Sequence, residues 1–319
     1  MCLALGLSSL ATKTIHLIIT QGVFYAIGGS FAYAPCIFLM NEWFAKQIGF
    51  AYGIMWAGTG LAGVVVPVIM EWALDQYGFR TALRAWSICL FVLTVPFLRF
   101  IKRRVPIAQV HVPRRFDLSF MATSTFAIHI TCIVVQALGF FIPSIYLPTY
   151  ARSLGASSLL STLTVILFNI ATVFGSVFMG VLVDKLHVTT CIAISTIGSV
   201  ISVFVIWGLS MSLAQVYAFC MVYGFFTGSY TSTWTGIMQD VKKKKESADQ
   251  TLILGCLYAA RGIGNVACGP LSESLLKGMP WKGQAGFAYG SGYGTLIVFT
   301  GVTALIGGAS ILGRRGRWV

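Results

Sequence analysis

The chain has 319 residues, of which 57% are hydrophobic and 10% charged, with a formal net charge of +13. A soluble domain carries about 25% charged residues, so the composition excludes an ordinary soluble globule and points to a polytopic helical membrane protein. The positive charge would suit a nucleic-acid binder if it were gathered on one face, but it sits in the connections between apolar runs. It is therefore a topology signal, and no nucleic-acid partner is expected.

Met1 to Ala11 is apolar for about half of the roughly 20 residues a helix needs to cross the hydrocarbon core, so a partial helix is expected there. Complete spans are expected at His16–Met40, Gly49–Leu74, Ala82–Ile101, Phe120–Leu147, Leu159–Val183, Thr189–Leu209, Leu213–Met238, Thr251–Leu276 and Tyr293–Leu312. Run lengths of this size argue for helices over strands. Three complete spans precede the one long polar connection, Lys102 to Arg115, and six follow it. The expected organisation is an incomplete N-terminal helical half (1–101), a cytoplasmic basic linker (102–118) and a six-helix C-terminal half (119–319). Because two six-helix halves are a common transporter plan, the shortfall reads as loss of two helices and most of a third from the N-terminus.

Short basic loops resist translocation. With the Lys102–Arg115 connection inside, alternation places fifteen of the 22 Lys and Arg residues on the cytoplasmic side, including Lys242–Lys245 and the tail, against six outside. Arg261 lies within a span. The C-terminus is thus expected to be cytoplasmic. The eight cysteines lie nearly all inside spans with no Cys-x-x-Cys pair, so neither disulfides nor a metal site is expected.

Gly58-Thr-Gly60-Leu-Ala-Gly63 matches a dinucleotide fingerprint, but it lies mid-span, with no preceding strand and no exposed helix start for a pyrophosphate. With Gly49 and Gly53 it reads as a small-residue packing face. Gly180-Val-Leu-Val-Asp184-Lys185 ends a span on the inner side. Asp184 is either a solvated helix end or a bond to a neighbouring helix N-terminus, a conformational latch with Lys185. Pro143, Pro148, Gly269 and Pro270 interrupt spans and are candidate hinges. His129 shares a helical face with Gln136, seven positions on, and either lines a polar cavity or is a bonded neutral histidine. Glu273 lies close to the outer end of its span.

An Arg in mid-span costs roughly 2.5 to 3.5 kcal/mol on insertion scales, so Arg261 should face protein or water, bonded to backbone carbonyls or to an anion. No Ser-His-Asp set, phosphate loop or metal cluster occurs, and an enzyme reading would rest on His187 and Asp184 alone. No enzyme and no cofactor is expected.

Gln136 to Pro143 with Tyr146-Leu-Pro-Thr-Tyr150-Ala151, Gly180 to Lys185, Arg261-Gly-Ile-Gly with Gly269-Pro270-Leu-Ser-Glu273, Gln21-Gly22-Val with Gly28, and Tyr77-Gly78-Phe79-Arg80 together resemble the fungal monocarboxylate-transporter-like members of the major facilitator superfamily. The resemblance runs from inside the family's third helix to the end of its twelfth. It implies an all-α membrane protein, a helical bundle of about nine complete transmembrane helices plus the partial one. It implies a carrier moving a small organic solute, a monocarboxylate-like or other organic anion with or without a co-transported proton, by alternating access. By resemblance the cavity is lined from the fourth, seventh and tenth helices, which offer Gln21, His129, Gln136, Tyr223, Tyr230 and Trp234, with Arg261 as the deep cation. A basic pair of the family is replaced here by Gln47-Ile48, and Ser176 stands where many relatives carry an arginine. The expected partners are the lipid bilayer and a small solute, and the plasma membrane is favoured over a vacuolar or other internal membrane. The competing reading is a non-transporting membrane sensor or a degenerate transporter fragment.

Overall fold

The computed structural model describes residues 1–44, 46–102 and 117–311. Residues 103–116 of the basic linker, Ala45, and the arginine-rich tail from 312 onward lie outside the described residues. The described chain is helical, with no strand. In order, the helices are α1 (Cys2–Ser8), α2 (Thr14–Trp43), α3 (Ile48–Phe97), α4 (Ser124–Phe140), α5 (Ile142–Ser153), α6 (Ser158–Lys185), α7 (Val188–Trp207), α8 (Leu213–Gly228), α9 (Trp234–Lys244), α10 (Gln250–Leu276) and α11 (Gly294–Gly307). Each expected span coincides with helix: α3 carries two of them, α4 and α5 share one, and α8 and α9 share another across the 3-10 turn Ser229–Thr233. Among the described residues six helical runs are long and apolar enough to cross a membrane by themselves, α4 and α5 counting as one such run, and α11 is a shorter apolar helix.

Why the breaks fall where they do is local chemistry. Gly78 interrupts α3 at φ 72°, ψ 168°, a region that side chains with a Cβ avoid. Gly155, at φ 90°, turns the chain between α5 and α6. The α4–α5 break sits at Phe141, not at a proline. Pro143 occupies the first turn of α5, where its missing N–H costs nothing, and it has no proton to return to Gly139. Phe140's carbonyl, freed at that break, accepts from the Tyr223 hydroxyl at 3.3 Å. Pro148 lies inside α5, and α10 runs unbroken through Gly269 and Pro270. Side-chain caps start several of the helices. Ser157 accepts from Leu160 N–H, Asp249 from Thr251 N–H at 2.8 Å, and Ser212 with Gln215 closes a capping box on α8.

Contacts group the chain into two units, Met1–Lys46 with Val65–Arg114, and Gln47–Val64 with Arg115–Val319. This differs from a division at the linker, because the first turns of α3 belong with the second unit. In the first unit α1 is tied by hydroxyl bonds: Ser87 donates to the Cys2 carbonyl (2.7 Å), and Arg84 to the Ser9 hydroxyl (3.1 Å). Its large apolar side chains, Phe31, Ile88, Phe97 and Phe100 among them, are exposed, as suits a surface solvated by lipid tails.

The second unit has a packed interior. Helix α4 lies against α10 and α11, and α6 against α8. Ile142, Leu147, Tyr150, Trp207, Phe219 and Leu296 form its core. Polar groups in that core are satisfied locally, as in the Tyr150 hydroxyl bonded to the Ser210 carbonyl at 3.0 Å. Where backbones come closest, glycine is present: a Cβ at Gly264 of α10 would sit 2.5 Å from the Ala137 Cβ and 2.6 Å from the Val134 carbonyl of α4. That approach brings the next residue of interest within reach.

Candidate functional site

One turn before Gly264, Arg261 extends from α10 toward α4. Its Nη1 donates to Gln136 Oε1 at 3.0 Å, and its Cζ lies 4.0 Å from the centroid of the Phe140 ring and 5.8 Å from that of Trp234. Gln136 and Phe140 are four apart on α4 and so present one face. Arg261 is 8% exposed, yet no carboxylate pairs with it among the described residues. Its bond is to the Gln136 amide, not to carbonyls of a broken helix: α10 is continuous here, so no backbone acceptors are freed. Glu273 is exposed at the far end of the same helix. A guanidinium has five N–H donors, and burying a cation without an anion costs several kcal/mol.

The guanidinium borders a cavity of about 170 Å³ within the second unit. Its aromatic wall is Trp56, Phe140, Phe141 and Phe168, and its polar groups include Asn169, Thr172, Ser176 and Thr231. The Asn169 amide nitrogen donates to the Val165 carbonyl (2.9 Å), and the Thr172 hydroxyl to the carbonyls of Phe168 (2.9 Å) and Gly224 (3.2 Å). Ser176 Oγ is fully buried and has no hydrogen-bond partner. Behind Trp56 an aromatic cluster forms, with Trp234 edge-on at 6.0 Å and Tyr258 at 5.8 Å. A broader cleft of about 720 Å³ beside Glu273 and Lys277 opens to the surface and contains none of these groups.

Of the residues named from the sequence, Gln136, Trp234 and Arg261 come together here. Tyr223 and Tyr230 stand close behind, fully engaged: Tyr223 holds the Phe140 carbonyl and Tyr230 the Gly307 carbonyl at 3.2 Å, and neither borders the cavity. His129 is 1% exposed with Nε2 unbonded, and it too lies off the cavity. Gln21 is exposed and belongs to the first unit. Trp56, Phe168, Asn169 and Thr172 were not anticipated. A signal for them exists: Gly49, Gly53, Trp56, Gly60 and Gly63 recur at helical spacing on α3, and Asn169, Ser176, Gly180 and Asp184 do so on α6. Each stripe marks the face turned to the other helix.

Those two stripes meet at the Gly49 end of α3 and the Asp184 end of α6. A Cβ on Gly49 would lie 2.6 Å from the Gly180 carbonyl, and one on Gly53 2.7 Å from that of Ser176. The approach lets Asp184 cap α3: Oδ1 accepts from Gly49 N–H and Oδ2 from Phe50 N–H, both at 2.8 Å. A carboxylate at a helix start also gains from the helix dipole. Lys185 is exposed beside it in the last turn of α6. His187, which caps α7, lies 3.7 Å from Asp240. Nearby, Lys244 donates to the Thr125 hydroxyl at 2.7 Å, and Ser247 to Asp117 at 3.1 Å. The Ser119 hydroxyl and backbone N–H, then Ser247, hold the Asp117 carboxyl down at about 2.

Comparison with known proteins agrees with this architecture. The Major Facilitator Superfamily profile matches residues 1–267 and 130–318. An MFS-type transporter of an Ophiocordyceps species is 26% identical over 76% of this chain and 54% of its own length. The MFS transporter asaE of Aspergillus flavus is 23% identical over 98% of this chain and 68% of its own, and the Fujikurins efflux protein of Gibberella fujikuroi 25% identical over 98% and 64%. The chain therefore spans between about half and about two thirds of the length of these relatives. An all-helical, lipid-exposed chain whose profile match runs essentially from end to end, with relatives named as transporters and not as enzymes, belongs to the Major Facilitator Superfamily.

Proposed function

We propose that this chain serves a secondary carrier that moves a small organic anion, monocarboxylate-like or related, across a membrane by alternating access. The observation that supports it most is Arg261: a buried cation in a spanning helix, bordering a cavity, with a neutral amide as its hydrogen-bond acceptor and no carboxylate partner among the described residues. An anionic solute supplies the missing charge. In the same reading Asp184 and Lys185 form a latch that holds the start of α3 in one conformation and lets go in the other. The Phe141 break before Pro143 flexes next to the Phe140 ring that carries the guanidinium, and Pro148, Gly269 and Pro270 adjust the same helices. Three matched relatives are named for efflux, fujikurins, agnestins and aspyridones being the solutes in their names, so export is the first direction to assay.

The positive-inside asymmetry places the C-terminus in the cytoplasm, and the plasma membrane is the proposed site. Coupling to a proton is part of the proposal, and a solute flux that ignores an imposed pH gradient would remove it. The deciding experiment reconstitutes the 319-residue chain in proteoliposomes and measures efflux and equilibrium binding of labelled organic anions. Binding and flux lost in Arg261→Ala and partly kept in Arg261→Lys, with unchanged thermal unfolding, support the carrier. Binding without flux favours a sensor.

A further inference from the structure

We infer that the solute held at Arg261 is a planar aromatic acid, a single ring bearing one carboxylate; the inference rests on the organic-anion reading above and narrows it. It begins with an inventory of unspent hydrogen-bonding capacity. The Thr172 hydroxyl has given its proton to backbone carbonyls, and Asn169 has placed one of its two amide N–H groups on the Val165 carbonyl. Arg261 has placed one N–H on Gln136. Ser176 Oγ has no partner and is 0% exposed. What remains around the cavity includes the guanidinium fork and the Ser176 hydroxyl as donors beside the Asn169 amide, and a carboxylate is the acceptor-only group that suits such donors.

The walls decide what carries the carboxylate. Trp56, Phe140 and Phe168 line the cavity from three different helices. Aromatic surfaces pack ring faces and edges in offset or edge-on arrangements, and they gain little from a short, hydroxylated aliphatic chain. Size points the same way: about 170 Å³ falls below the range of about 300–1,000 Å³ for drug-sized ligands. One ring with its carboxylate suits that space.

The test uses the purified 319-residue chain in lipid nanodiscs and equilibrium binding of radiolabelled benzoate, competed by lactate, cyclohexanecarboxylate and benzyl alcohol. Benzoate is expected to bind about tenfold more tightly than lactate and about threefold or more above the non-planar cyclohexanecarboxylate, with benzyl alcohol weakest. Ser176→Ala should weaken benzoate about three- to tenfold and Ser176→Thr restore it, thermal unfolding being unchanged in both. Phe168→Leu should reduce the preference for benzoate over lactate without reducing lactate binding. Equal affinities for benzoate, lactate and cyclohexanecarboxylate overturn the aromatic class and leave the organic-anion reading standing. Benzyl alcohol matching benzoate, or a folded chain that binds none of the acids, overturns both. Unchanged benzoate affinity in Ser176→Ala removes the proposed role of that hydroxyl.

Discussion

Arg261 and Asp184 are two charges of the second unit set into contacts between helices, and they are treated in opposite ways. Asp184 is satisfied by the fold: two backbone N–H groups at 2.8 Å and the positive end of a helix leave its carboxylate little reason to seek another partner. Arg261 is not: one amide oxygen and two aromatic faces solvate a guanidinium whose remaining donors border empty volume. A charge completed by the backbone stabilises one arrangement of helices, whereas a charge left incomplete awaits a ligand. The contrast also separates two kinds of close contact. Near Asp184 glycines bring backbone against backbone, while around Arg261 rings hold the helices apart enough to leave a cavity.

The largest expected effect is at the incomplete charge. Arg261→Ala should reduce organic-anion affinity by about 100-fold or more, the scale of truncating a buried charge partner, and Arg261→Lys by about tenfold because the ammonium keeps the charge but not the planar fork. Equilibrium binding checks both, and an Ala variant with wild-type affinity would erase the distinction drawn between the two charges.

Next comes the glycine contact under the completed charge. Gly180→Leu pushes a side chain into the Gly49 and Gly53 backbone and should cost about 3 kcal/mol or more in thermal unfolding, with Gly180→Ala nearer 1 to 3 kcal/mol. Asp184→Asn follows: it keeps one acceptor and loses the charge, and should cost about 1 kcal/mol for this half-buried group. Its sharper readout is labelling of single cysteines placed on either side of the membrane. Unchanged accessibility on both sides, with anion binding also unchanged, would make Asp184 a cap and nothing more.

The smallest effect is at the cluster of Asp117, Ser119 and Ser247. Asp117 has its value lowered from 3.8 to about 2, so its contribution is present above about pH 4 and lost as pH falls through about 2. A stability profile between pH 5 and 2 should therefore show a shallow decline that Asp117→Asn flattens. A steeper decline in the variant would reverse the sign and remove the cluster from the account.

What the sequence by itself determined is the membrane and the helical runs, because hydrocarbon demands long apolar runs and internally bonded backbone whatever the neighbours are. It also singled out Arg261, since a charge in such a run is costly anywhere, and it offered Asp184 as one of two alternatives. It named Gln136 and Trp234, but it put Tyr223 and Tyr230 on the cavity, where the fold uses their hydroxyls to hold the carbonyls of Phe140 and Gly307. Which side chains surround a cavity depends on how α3, α4, α6 and α10 rotate against one another, and periodicity along one helix says which residues share a face without saying what that face meets. Ser176 is the clearest instance. As a letter in Phe174-Gly175-Ser176 it was a departure from a pattern, and only packing made it a buried hydroxyl without a partner beside the guanidinium cavity. Likewise the partner of Arg261 had to be read from the structure, because Gln136 lies 125 residues away and reaches it only through the glycine contact at Gly264.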